Sequence, residues 1–165
     1  MSELTHFSDS GRARMVDVSE KTDTQRTAIA SGVLRMKMAT LIRIREGKIA
    51  KGDVLTVADV AAVMAAKRTP DIIPMCHSIP LSGVSIEFSE VLKPDHYGSV
   101  GIKVVATASC RGQTGVEIEA MTAASVALLT IYDMCKSVDR GMRMASIQLE
   151  EKRVGKSGLW QREES

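Results

Sequence analysis

Apolar and polar positions alternate with two different periods along this chain, and the switches between them mark out its elements. Val84, Ile86 and Phe88 alternate with Ser85, Glu87 and Ser89; Val100, Ile102, Val104, Ala106 and Ala108 repeat the pattern after the segment KPDHYGS. A period of two predicts half-buried strands, here joined as a hairpin. Val57, Val60, Ala61 and Met64 recur instead at helical spacing, behind a capping-box-like start at Thr56 and Asp59. That helix should stop ahead of Pro70, because the residue before a proline resists the helical region. Thr27–Met36 fits either period and is taken as a strand, followed by a helix from Lys37 to about Glu46. Arg143–Glu150 predicts a last strand with Ile147 and Leu149 inward, and the tail KRVGKSGLW a loop rich in glycine and lysine.

The longest uncharged run, Ala120–Tyr132 (AMTAASVALLTIY), lies between Glu117 and Glu119 on one side and Asp133 and Lys136 on the other. Small residues all round predict a helix packed on every face, running to about Val138. Its length falls short of the roughly 20 apolar residues a membrane span needs. Charges at the mouths of a buried helix are costly unless paired or in use, so both ends become candidate walls of a site. Just before the run, Val116 and Ile118 alternate with Glu117 and Glu119; if that piece is extended, both carboxylates share one face. Strand, two helices, hairpin, helix and strand make a ferredoxin-like βαββαβ plan with one extra helix, an α+β sandwich with an antiparallel sheet. Lys103, Val105 and Thr107 then lie on the sheet face away from the helices, a half-apolar surface that predicts a homo-oligomer.

Composition narrows the function. The chain has 165 residues, enough for one domain with its own core, and divides into a flexible segment 1–14, a single domain 15–160 and a tail 161–165. Its net charge of +2 gives no general case for nucleic acid or membrane. Cys76, Cys110 and Cys135, odd in number and irregular in spacing, suit a reducing cytoplasm rather than a disulfide framework. Three histidines without an HxH or HExxH pattern argue against zinc.

Several residues could do chemistry. Asp133 and Lys136 stand three apart on one helix face; shielded from water, the carboxylate would orient the ammonium and tune it as an acid or base. In open solvent the same pair is a weak surface contact. Glu117 and Glu119 are either the wet side of a strand or, near a helix N-terminus, a pair able to grip the guanidine-like edge of a purine or pterin. His77 sits in PMCHSIP (Pro74–Pro80), a connection confined by two prolines. Lys51 lies in the loop GKIAKG; Lys152 and Lys156 lie in the tail. GKSG looks like the end of a phosphate-binding loop, but Glu150 stands where that motif requires glycine. Together with Arg26, these cations and carboxylates suit a polyphosphorylated, nitrogen-rich ligand.

The motifs MVDVS (Met15–Ser19), KGDV (Lys51–Val54), AAKRT with IIPMCH (Ala65–His77), TGVEIEAMTAASVALLTIYDMCK (Thr114–Lys136) and GKSG (Gly155–Gly158) resemble the cyclic pyranopterin monophosphate synthase family of molybdenum cofactor biosynthesis, from about Met15 to Gly158. The resemblance implies a hexameric, ferredoxin-like lyase, a trimer of dimers, that converts 3′,8-cyclo-7,8-dihydro-GTP to cyclic pyranopterin monophosphate with loss of pyrophosphate. No cofactor and no metal-ligand set is expected, and the sequence does not say whether magnesium accompanies the phosphates. By motif, Asp133, Lys51 and Lys136 would be catalytic. Met75, Cys76, His77, Glu117, Ile118 and Glu119 would line the substrate site, with Arg26, Lys152 and Lys156 near the phosphates. Ser78, Ile118 and the pair Arg153-Val154 depart from the family's usual proline, methionine and Ser-Gly. Two rival classes are an RNA-binding module, for which Phe88 is the one aromatic on the predicted strands, and a nucleotide sensor that uses the same site without turnover.

Overall fold

The computed structural model describes residues 14–154 and 158–163. The expected flexible segment therefore lies outside the described residues except for Arg14, and so does Lys156. The elements are β1 (Thr24–Met36), α1 (Met38–Arg45), α2 (Val54–Lys67), the short α3 (Thr69–Ile72), β2 (Leu81–Val91), β3 (Val100–Gly112), α4 (Glu117–Cys135), β4 (Arg143–Val154) and β5 (Gly158–Gln161). The five strands form one antiparallel sheet in the order β2-β3-β1-β4-β5. The first four reproduce the ferredoxin-like arrangement and β5 extends one edge, where a loop was expected.

Alternation decides which side of each strand is buried. Ala28, Ala30, Leu34 and Met36 of β1 and Val100, Ile102, Val104, Ala106, Ala108 and Cys110 of β3 are sealed beneath the helices. Lys103, Val105 and Thr107 lie half-buried on the opposite face, as the sequence predicts. Opposite β4, β1 meets two irregularities, one between Ser31 and Val33 and one between Ile29 and Ala30. Ser146 takes a positive φ of 55° at the first. The second leaves Glu150 without an opposite residue, so Leu149 faces Ala30 while Lys152 faces Ala28. That extra residue turns Lys152 to the helix side of the sheet.

Gly32 lies where β1 passes under α4. A Cβ there would come within 2.7 Å of Leu128 Cδ1 and 3.2 Å of Ile147 Cγ1. Leu128 is fully buried and has no room to withdraw. Gly32→Ala should therefore destabilise the fold by about 1–3 kcal/mol, seen as a lower urea midpoint with an unchanged slope; an unchanged midpoint would show that this crossing is looser than its distances indicate.

Three expectations about the helices are corrected. Asp53, not Thr56, caps α2: its carboxylate accepts from the Thr56 amide at 3.1 Å and from the Thr56 hydroxyl at 2.7 Å. The stripe Val57, Val60 and Met64 faces outward, with Val60 57% exposed, while Ala58, Ala62, Ala65 and Ala66 face the core. Alanines on α2 meet the small face of α4 (Ala120, Ala123, Ala124, Ala127), and two such surfaces let the helix axes approach closely. Likewise, α4 is not packed on every side. Ile118 and Leu129 are exposed at 41% and 52%, and with Thr122 and Ser125 they form a neutral stripe along it. At 19 residues, α4 is long and apolar enough to cross a membrane by length and composition, so length alone does not exclude a span. Half of it is buried against the sheet and α2, the packing of a core helix.

Candidate functional site

Two clusters occupy the two ends of α4. At its C-terminal end, Asp133 holds both catalytic candidates: its Oδ1 accepts from Lys136 Nζ at 2.6 Å and its Oδ2 from Lys51 Nζ at 2.8 Å. Lys51 also donates to the Asp133 carbonyl at 3.0 Å, and a cation at the C-terminal end of a helix is favoured by the helix dipole. The reach of Lys51 depends on Gly52, whose φ of 103° turns the loop sharply before Asp53 starts α2. The two lysine hydrogen bonds hold the Asp133 carboxyl down at about 2, and the Asp133 bond in turn raises Lys136. All three side chains are about half exposed, Asp133 at 55%. The pairing expected from the sequence is present; the shielding is not supplied by this chain alone. As it stands, Lys136 is a firm cation and not a base at neutral pH.

At the N-terminal end, Glu117 and Glu119 do not belong to a strand. Val116 is the N-cap and Glu117 opens the helix. Carboxylates in a first turn meet free N–H groups and the positive end of the dipole, which favours helix over the short alternating pattern. The consequence is that the two carboxylates point apart. Glu117 forms an ion pair with Lys152, carried there by the extra residue in β4. Its carboxylate lies where a Cβ on residue 115 would stand, so Gly115 leaves it room. Glu119 turns inward and is 2% exposed. Cys76 Sγ lies 3.5 Å from Glu119 Oε1, and Glu119 Oε2 has no hydrogen-bond partner.

Burial pushes Glu119 above the usual carboxylate range, against the pull of its own amide and of Cys76. The Cys76 thiol is pushed up to about 11, by its own burial first and then by the Glu119 charge. His77 Nε2 lies 2.7 Å from the Val16 carbonyl, an atom that only accepts, so Nε2 carries the proton and Nδ1 is left to interact elsewhere. Met75, Cys76, His77, Glu117, Ile118 and Glu119 together line one cavity of about 440 Å³, shared with Val16, Val18, Lys21, Ile79, Thr114 and Gly115. Arg26 stands behind it on the inner face of β1, donating through Nε to the Gly112 carbonyl at 2.7 Å.

Thus eight of the twelve residues picked out in the sequence gather at one end of α4 or at its edge, and a ninth, Lys156, lies outside the described residues. Lys51, Asp133 and Lys136 gather at the other end. Sixteen residues separate Glu117 from Asp133, about 24 Å at the rise of an α-helix. Lys21 and Thr114 reach the cavity without having been singled out; a lysine six residues beyond the start of MVDVS is the signal that was there to be used.

Known proteins resemble this chain in sequence over nearly its whole length. The sequence matches the MoaC family over residues 15–155. It is 54% identical over 161 residues to a cyclic pyranopterin monophosphate synthase of Peptoclostridium acidaminophilum, covering 98% of each chain. It is 53% identical over 160 residues to one of Novosphingobium aromaticivorans, covering 97% of this chain and 98% of that one. A Brevibacillus brevis protein of the same name is 52% identical over 162 residues, covering 98% of each.

Proposed function

The chain belongs to the MoaC family, and from that membership we propose that it converts 3′,8-cyclo-7,8-dihydro-GTP to cyclic pyranopterin monophosphate with release of pyrophosphate, in molybdenum cofactor biosynthesis. The observation that carries this reading is likeness at more than half identity, end to end, to proteins that bear the synthase name. Residues 15–160 are the catalytic unit in this reading. Its three cysteines are free thiols, which suits the cytoplasm where we place it.

The geometry supports a site shared between two copies. Ile118, Thr122, Ser125 and Leu129 run between the clusters as an uncharged stripe. A twofold axis near Ser125, midway along, would lay two such stripes antiparallel and set the Asp133 end of one copy on the Glu117 end of the other. Small residues at the middle permit the approach. Three such dimers make the hexamer we assign, with the half-apolar outer sheet face available for further contacts.

In the joined site, partner contacts would remove water from the Asp133 cluster. Desolvation weakens the charged form of a lysine, the direction in which such a group must move to exchange protons at neutral pH. Lys51 and Lys136 would then exchange protons with the rearranging ring while Asp133 keeps them aligned. Glu117 and Glu119 would hold the nitrogen-rich ring. When a sugar hydroxyl displaces pyrophosphate at the α-phosphate, negative charge grows on the leaving group; Arg26, Lys152, Lys156 and His77 would stabilise it.

Incubation of the whole protein with the cyclic dihydro-GTP substrate should release pyrophosphate and a fluorescent-oxidisable pterin together. Binding without pyrophosphate would identify a sensor instead.

A further inference from the structure

We propose that Asp139 is a positioning residue for the lysine cluster: reaching across from the turn after α4, it ties down the first turn of α1 and so fixes the loop that carries Lys51 against Asp133. The inference rests on the reading above, in which Lys51, Asp133 and Lys136 do the chemistry, and names a residue outside that cluster on which its geometry depends.

The helix α1 has little of its own to hold it. It is 8 residues long, its N-cap Lys37 offers the first turn no side-chain hydrogen bond, and that turn contains no acidic residue. A helix this short is marginal in water by itself, and α1 buries only Thr40 and Leu41. The missing support comes from 102 positions away. Asp139 Oδ2 accepts from the Lys37 amide and from the Thr40 hydroxyl, each at 3.0 Å, while Oδ1 accepts from the Gly141 amide at 3.2 Å. A buried carboxylate is costly unless its oxygens find donors. Asp139 is 3% exposed, and these three donors all belong to the two segments it joins.

Both segments lead to the cluster within a few residues. On one side, the Asp139 amide donates to the Cys135 carbonyl at 3.1 Å and the Lys136 amide to the Tyr132 carbonyl at 2.8 Å. The Tyr132 hydroxyl adds a bond to the Arg140 carbonyl at 3.1 Å. The turn is thereby locked onto the end of α4, where Asp133 and Lys136 stand. On the other side, α1 passes directly into the Lys51 loop, which is wound back on the helix. The Lys48 amide donates to the Arg43 carbonyl at 2.8 Å and the Gly47 amide to the Ile44 carbonyl at 3.1 Å, and Ile49 is buried. A shift of α1 therefore carries Lys51 with it, and a displacement of about 1 Å is enough to break the 2.8 Å bond from Lys51 to Asp133.

Pyrophosphate release and lysine acylation, both measured on the assembled protein, test this. Asp139→Ala should lower kcat by about 10- to 100-fold, up to the scale of a misplacement of about 1 Å, with KM nearly unchanged because no substrate contact is removed. In the same variant acetic anhydride should modify Lys51 about 2- to 5-fold faster, relative to the exposed Lys93, as expected when a half-exposed ion pair is lost. Asp139→Asn should stay close to wild type in both readouts, because its amide oxygen can take the place of Oδ2 and only the Gly141 bond is given up. Thr40→Val removes one of the two bonds to Oδ2 and carries the test if Asp139→Ala does not fold; it should move both readouts the same way, kcat by about 3-fold. Gly32→Ala, destabilised elsewhere in the core, should leave both at their wild-type values. Unchanged Lys51 reactivity in Asp139→Ala and Thr40→Val, an Asp139→Asn as impaired as Asp139→Ala, or an equal loss in Gly32→Ala would overturn the positioning role without touching the proposed reaction. A more reactive Lys51 with undiminished kcat would overturn the positioning role together with the catalytic reading of Lys51.

Discussion

Asp133→Asn should leave the fold intact and slow pyrophosphate release by about 100-fold or more, the scale of one group in acid–base chemistry. The fold is safe because Asp133 is exposed and touches none of the core. The rate is not, because two ammonium groups converge on this one carboxylate, at 2.8 and 2.6 Å. An amide offers a single acceptor oxygen and no charge. It cannot hold both lysines, and without the carboxylate between them the two cations repel. Lys136 should then fall back from the raised value that the Asp133 bond gives it. The pH dependence carries a sign. Since the folded chain holds Asp133 down at about 2 from the ordinary 3.8, its ion pairs are complete above the ordinary carboxylate range and are lost only as pH falls toward 2. The acid limb of the wild-type rate profile should therefore belong to another group, and Asp133→Asn should lower the plateau without moving that limb. Comparison of rate profiles, with circular dichroism as the check on folding, decides it. Wild-type release by the variant would remove Asp133 from the mechanism.

How far the sequence could be read depends on which physical signal each element carries. The strands were legible because period two survives wherever one face is buried, and β2 from Val84 to Ser89 and β3 from Ile102 to Cys110 match it residue by residue. The helices were legible as helices but not in their orientation. Periodicity in α2 marks an apolar face; it does not say that the alanine face packs inside while Val57, Val60 and Met64 look out. Large apolar residues mark an apolar face but do not say whether the core of the same chain covers it. The four residues around Glu117 and Glu119 were too few to separate two periods, and the dipole at the start of α4 decided for helix. β5 pairs with β4 from Gly158 to Val154 across a stretch whose glycines and lysines carry no strand signal.

For the site, residue types were legible and their grouping only in part. The partnership of Asp133 with Lys136 follows from helical spacing, whereas Lys51 joins them through a glycine-dependent loop 82 positions away, which no local pattern reports. The contrast between Glu117 and Glu119 is likewise tertiary: one meets Lys152 because β4 carries an extra residue, the other meets the interior.

The separation of the clusters leads to the second large effect. Lys51→Ala removes a residue from one end of α4 and His77→Ala one from the other, so each variant alone should release pyrophosphate about 100-fold more slowly or worse. Mixed in one assembly they should regain activity. In a mixed dimer one site inherits both defects, while its twin takes the Asp133 cluster from the His77→Ala copy and the histidine loop from the Lys51→Ala copy, both intact. Random pairing of equal amounts makes half the dimers mixed, each with one sound site of two, and so roughly a quarter of wild-type activity. Co-expression with two different tags, followed by sequential capture, should leave that at roughly a quarter, because in a hexamer of three dimers nearly every assembly carries both tags while only about half of its dimers are mixed. A site confined to one chain would give no recovery under either protocol, because every chain would still carry a defect; mixed assemblies as inactive as their parents would refute the shared site and leave the 24 Å between the clusters to be closed by some other means.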